Sequence, residues 1–189
     1  MNAFKHQWFA AAVLSVLAAC AMPPVVERAP LLKLTPASLG RELSMSQQMQ
    51  VQAAGQNVVM DVALEADASA VRMAVLQFGR TLARLEWDGQ QLSRTLAPGW
   101  PDSLLAERVL NDLQLVWWPA SVVRGALPSG WSLAESVDSR TLLHEGRVVI
   151  EIELPRAGTI VIRHPLDGYT VQVRTDGQSP NFESNEDQR

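Results

Sequence analysis

The chain has 189 residues, with 16 lysines and arginines against 20 aspartates and glutamates, for a net charge of −4. A mildly acidic protein gains no electrostatic attraction to nucleic acid or to anionic lipid head groups, so no nucleic-acid partner is expected. One cysteine leaves no intramolecular disulfide, and three histidines with no acidic cluster beside them argue against a structural zinc site, so neither metal nor cofactor is expected.

The first expected element is a leader. Lys5 and His6 give a weakly positive start, and Phe9 to Leu17 form an apolar run too short to span a bilayer as a helix. Leu17-Ala18-Ala19-Cys20 follows. This motif resembles the lipobox of bacterial lipoproteins, with Leu three places before the cysteine and small residues between. The resemblance implies a signal peptide over residues 1–19, cleavage before Cys20 and lipid on its sulfur. An ordinary secretory signal is the alternative. The mature chain would then have 170 residues and a net charge of −5. Ala21 stands where an Asp would imply retention in the inner membrane, so the sorting rule implies the outer membrane, facing the periplasm. Residues 20–38 carry Pro23, Pro24, Pro30 and Pro36 and read as an extended tether.

A β pattern begins near residue 40. Leu43, Met45, Met49 and Val51 alternate with Ser44, Ser46, Gln48 and Gln50, which gives one apolar and one wet face. After Ala54-Gly55-Gln56, Val58, Met60, Val62 and Leu64 share a face, so a long hairpin is expected. Val71 to Leu76 and Thr81 to Trp87 form the next pair around Gln77-Phe78-Gly79. Asp88-Gly89 then turns into Gln91 to Leu96.

Pro98, Gly99 and Pro101 break this pattern. From Ser103 to Trp118, Leu105, Val109, Leu113 and Trp117 recur every four residues, with Glu107, Arg108 and Asp112 mostly off the stripe. The spacing predicts an amphipathic helix stopped by Pro119, and a shorter one over Ser121 to Leu127. Strands resume at Trp131 to Ala134 and Thr141 to His144. They continue through Val148, Ile150, Ile152 and Leu154, then Ile160 and Ile162, then Tyr169, Val171 and Val173. About nine strands are expected. The polar end, 177–189, is expected to be disordered.

An antiparallel sheet with one apolar face must cover that face. It can curl toward a barrel, with the helical insertion as a lid over an apolar cavity. Met45, Met49, Met60, Met73, Leu105, Val109, Leu113 and Trp117 are the candidate cavity residues. Methionine suits an adaptable binding surface. The alternative is that they pack a solid core. The many tryptophans fit either a core or a cavity wall.

The order of tether, two hairpins, helix pair and final meander is similar to the LolA/LolB lipoprotein-carrier superfamily. The residues that carry the likeness are Met73 to Glu86, Trp87-Asp88-Gly89-Gln90, Leu113 to Pro119 and Ala126-Leu127-Pro128. Leu113-Gln114-Leu115-Val116-Trp117-Trp118-Pro119 also resembles lipoproteins of aryl-polyene and fatty-acid-like biosynthesis clusters. The resemblance covers roughly 40–175 and implies one half-open antiparallel β-barrel domain, 39–176, with a helical lid. It implies that Phe78 projects from a hairpin tip as a membrane-contact residue, although Gln77 replaces the Pro of the LolB tip. The alternative is a Phe78 folded back on the sheet.

The sequence holds no nucleophile elbow, His-Glu-x-x-His or phosphate loop. His164 reads as a core or cavity-facing residue, His144 and Glu145 as solvated, and Glu151 and Glu153 as a wet sheet face. A non-enzymatic protein is expected. Its partners would be an acyl, polyene-type or lipoprotein lipid chain, the outer membrane through Cys20, and a periplasmic carrier protein. A scaffold for a membrane-bound biosynthetic complex, with a filled core, is the alternative.

Overall fold

A computed structural model describes residues 28–101, 104–154 and 158–175. Cys20, the leader, residues 20–27 of the tether and the 177–189 tail lie outside the described residues. The chain runs through β1 (Leu43–Ala53), β2 (Gln56–Ala66), β3 (Val71–Gln77), β4 (Arg80–Trp87) and β5 (Leu92–Leu96). Helices α1 (Ala106–Trp117) and α2 (Ala120–Ala126) follow. The chain then forms β6 (Trp131–Glu135), β7 (Ser139–His144), β8 (Arg147–Glu153), β9 (Thr159–His164) and β10 (Tyr169–Thr175).

The ten strands form one antiparallel sheet in the order β5-β4-β3-β2-β1-β10-β9-β8-β7-β6. Every neighbour is a hairpin partner except β1 and β10, which pair from Gln47–Thr175 to Ala53–Tyr169 and join the two halves. The ends, β5 and β6, do not pair with each other, so the sheet is open.

It is also curved around α1. Glu107 near the start of α1 pairs with Arg94 of β5, while Arg140 of β7 donates to the carbonyls of Leu115, Val116 and Trp118. On a flat sheet these strands would lie about 38 Å apart, at about 4.8 Å per strand. The helix is only about 18 Å long. Even two extended arginine side chains, which must also rise from sheet to helix, do not close that gap. The sheet is thus a trough, and α1 lies in it.

Sequence alternation sets the inner face. Met49, Val51, Met60, Val62 and Leu64 are buried, and Ser44, Ser46, Gln48 and Asp61 are exposed. Two bulges break the alternation. Leu82 stands opposite the Val75–Leu76 step and Val149 opposite the Leu142–Leu143 step. Val148 was expected to face inward with Ile150. The bulge turns it out to 39% exposure and buries Val149 in its place.

Three hairpins, at Ala54-Gly55, Phe78-Gly79 and Glu145-Gly146, place both turn residues at positive φ. This is the two-residue turn whose twist matches the flanking strands. The first two of these turns, the β9–β10 connection at 165–168 and the start of α1 all lie at one end of the trough, here the upper rim.

The expected tether does not hang free over its described part. Leu32 N–H donates to Asn111 Oδ1 at 2.9 Å, and Leu34 exchanges hydrogen bonds with the Gln114 amide. Trp87 Nε1–H donates to the Leu34 carbonyl at 2.7 Å, and Trp118 Nε1–H to Thr35 and Ser38. Leu32, Leu34 and Leu39 are core residues. The domain boundary therefore lies ahead of 39. Residues 28–39 form a strap that enters at the upper rim, where Arg28 meets Asp167, and runs beside α1 to a short 3-10 turn, Pro36–Leu39. Proline keeps such a strap extended, which is the feature the composition displays, while its leucines do the packing.

Burying three leucines is worth about 6 kcal/mol, comparable to the whole net stability of a domain. A chain begun at Gly40 should therefore lose its cooperative thermal unfolding transition by circular dichroism. One begun at Arg28 should melt like the longer chain. Equal melting of the two would show that the strap contributes nothing.

Candidate functional site

Between α1 and the trough lies an apolar cleft of about 50 Å3, walled by α1 and by β1, β2, β3, β9 and β10. That is room for one or two water molecules, far below the several hundred Å3 of a site for an organic ligand.

Of the candidate cavity residues, Met49, Met73, Val109, Leu113 and Trp117 line the cleft. Met60 is buried in the core, and Met45 packs partly buried against it; neither lines the cleft. Leu105 is a correction. It precedes the first turn of α1, its backbone is extended, and its side chain is 52% exposed. The i, i+4 stripe was read through it, but the helix starts one residue later, at Ala106.

Helix α1 is amphipathic as the spacing predicts, but its polar residues do not face water. Ala106 and every residue from Val109 to Trp117 are buried, Asn111, Asp112 and Gln114 included. The sheet covers one side of the helix, and the strap takes the side that the sequence assigns to solvent. Asn111 and Gln114 are polar because they hydrogen-bond the strap's backbone. The Pro-rich, aperiodic sequence of the tether gives no sign of this pairing.

Asp112 forms part of the cleft wall. Its Oδ2 lies 2.9 Å from His164 Nε2, and its Oδ1 is buried with no partner. Burial pushes its carboxyl upward from the usual range, and the His164 hydrogen bond opposes that shift. His164 stacks on Tyr169 at 4.1 Å between ring centroids. The Tyr169 hydroxyl is buried close to Arg108 and Asp112, and burial raises its pKa. Arg108, at the edge of this cluster, pairs with Asp167. The alternation around Ile160 and Ile162 signals His164 as an inward residue; Asp112 meets it from the cleft-facing side of α1, beside Val109, Leu113 and Val116. Gln47, in register with inward residues of β1, is a second buried polar group on the cleft, bonded to Thr175 Oγ1 at 3.0 Å.

Arg140 fixes the far end of the lid. Its guanidinium takes the carbonyls that end α1 and is paired with Glu135 at 2.9 Å. The unpaired carbonyls of a helix C-terminus carry partial negative charge, so a buried cation there is favourable. His144 stacks on Trp131 rather than standing in solvent alone. Among the described residues, no group of three His, Cys, Asp or Glu side chains could hold a metal ion.

Residues 44–177 match the model of a family described as "Protein of unknown function (DUF3261)". The chain belongs to this family. The matched span covers nine strands entirely, nearly all of β1 and both helices, and leaves the strap outside. No curated protein matches the chain. The family match therefore coincides with the trough and its lid, the parts that enclose the cleft.

Phe78 stands apart from that core at 94% exposure, with φ +49° in the β3–β4 turn. A bulky side chain at positive φ is an uncommon and strained choice, where Asn or Gly is the ordinary one. Among the described residues nothing rewards it, since the ring is left almost fully exposed. Phe78→Asn should therefore stabilise the fold by about 1 kcal/mol, read as a rise of about 2–4 °C in Tm. A fall of that size would mean that the ring packs in solution.

Proposed function

We propose that this protein is a lipid-anchored, periplasm-facing carrier of the LolA/LolB type. It accepts an acyl, polyene-type or lipoprotein lipid chain between α1 and the trough and assists its delivery to the outer membrane. The observation that carries this reading is the upper rim. Phe78 projects from it, and Leu166 and Leu105 are exposed in the turn and loop on the same rim. The strap also enters there at Arg28. Cys20 precedes Arg28 by eight residues, so lipid on its sulfur would sit within about 28 Å of that rim. Anchor, exposed aromatic and the start of the lid then face one membrane. A Phe kept in a strained, solvated turn is explained if its ordinary surroundings are not water.

Cargo entry on this reading requires α1 to lift, because the closed cleft is too small for a chain. Each buried methylene contributes about 0.8 kcal/mol. Ten of them supply about 8 kcal/mol toward replacing the contacts that α1 makes in the closed state. The methionines on the wall, Met49 and Met73, can repack around a chain without a fixed shape. No covalent step is needed.

The small cleft favours a second reading, a non-catalytic scaffold with a filled core that partners a membrane-bound lipid or polyene biosynthesis complex. Mass spectrometry of lipids extracted from the purified domain separates the two. The carrier reading expects a stoichiometric acyl-type lipid, and the scaffold reading expects none. With cargo in hand, Phe78→Glu should leave binding intact and cut transfer to liposomes at least about tenfold, the effect of roughly 1.4 kcal/mol at the membrane. Unchanged transfer would remove Phe78 from delivery.

A further inference from the structure

The cleft is apolar except at two places, and the two differ. Gln47 has its partner in Thr175. Asp112 has only half of its own. Oδ2 is held by His164, and Oδ1, on a side chain that lines the cleft, is buried without a hydrogen-bond partner among the described residues. A buried carboxyl oxygen without a donor costs free energy that an apolar side chain at 112 would avoid. The remainder of the wall shows that apolar side chains fit here: Val109, Leu113 and Val116 are its neighbours on the same helix.

Geometry also fixes what kind of group could complete Asp112. The nearest cation, Arg108, is engaged by Asp167, whose other neighbour is Arg28. No free positive charge therefore faces the cleft from this cluster, and an anionic head group would meet a carboxyl. A hydrogen-bond donor would meet an acceptor. The pair with His164 holds the carboxyl in place, and stacking on Tyr169 holds the imidazole.

We propose that Asp112 is a ligand-reading residue: its Oδ1 accepts a hydrogen bond from a hydroxyl or amide N–H carried by the chain that enters the cleft. This rests on the acyl-chain reading and narrows it. The cargo is a hydroxylated or amide-bearing chain rather than a plain hydrocarbon tail. The donor sits near the upper part of the lid, one turn and a half into α1, while the tail extends along the methionines.

The test compares 12-hydroxystearate and other monohydroxystearates with stearate, by displacement of a fluorescent fatty acid from the domain begun at Arg28. At least one hydroxystearate should bind about fivefold or more tightly than stearate, with the optimum at one hydroxyl position. In Asp112→Leu/His164→Phe, which replaces the buried pair by apolar groups of similar bulk, stearate should bind at least as tightly as before and the preference should vanish. The wild-type comparison stands without the variant. Equal binding of all chains by the wild type overturns the role of Asp112 and leaves the acyl reading intact. Binding of none overturns both. A preference that survives in the double variant would place the donor's partner elsewhere and overturn the assignment.

Discussion

Everything in this domain depends on how helix α1 is enclosed. Asp112 belongs to the cleft side of the helix, and Asn111 and Gln114 lie on another side that would ordinarily face water. Here the strap lies along it, and each polar group answers a specific need: Asn111 for the Leu32 N–H, Gln114 for both polar groups of Leu34, Asp112 for His164. The strap has no ladder partner of its own, so without these side chains its buried backbone groups would be unsatisfied. Strap and helix thus depend on each other, and Trp87 and Trp118 tie both to the sheet.

This enclosure links the N-terminal side of the described chain to α1. The residue that follows the proposed tether enters at the upper rim, and within a few residues the chain is bonded to α1. The same rim carries Phe78. On the proposed carrier function, α1 and the membrane contact would need to share one side, and the antiparallel topology puts the start of α1 and Phe78 there. Hairpin turns alternate between the two ends of the trough, so the β3–β4 tip and the β9–β10 turn are placed together by strand count alone.

Much of the sheet was legible in the sequence, because period-two alternation and Gly-containing turns mark each hairpin locally. What was not legible arises from contacts between distant segments. The Pro-rich composition of 28–38 announces an extended conformation but not the surface it lies on, so a docked strap and a free tether look alike. Asp112 reads as solvent-facing for a similar reason, since its partner His164 lies 52 residues further along the chain. Leu105 fits the helical stripe by spacing, yet the helix begins after it. Val148 follows a regular alternation that one bulge inverts. The candidate site was readable where it depends on periodicity, at Met49, Met73, Val109, Leu113 and Trp117, and unreadable where it depends on the fit of strap, helix and His164.

On the proposed carrier function, α1 lifts while the trough remains folded. Hydrogen exchange by mass spectrometry on the domain begun at Arg28, with and without palmitate below its critical micelle concentration, tests this most directly. The account predicts that palmitate changes exchange in α1 and residues 32–39 selectively, with the β1–β2 and β9–β10 amides left as slow as in the free protein. Exchange in α1 that is unaffected by palmitate, and that occurs only together with global unfolding of the sheet, would contradict it.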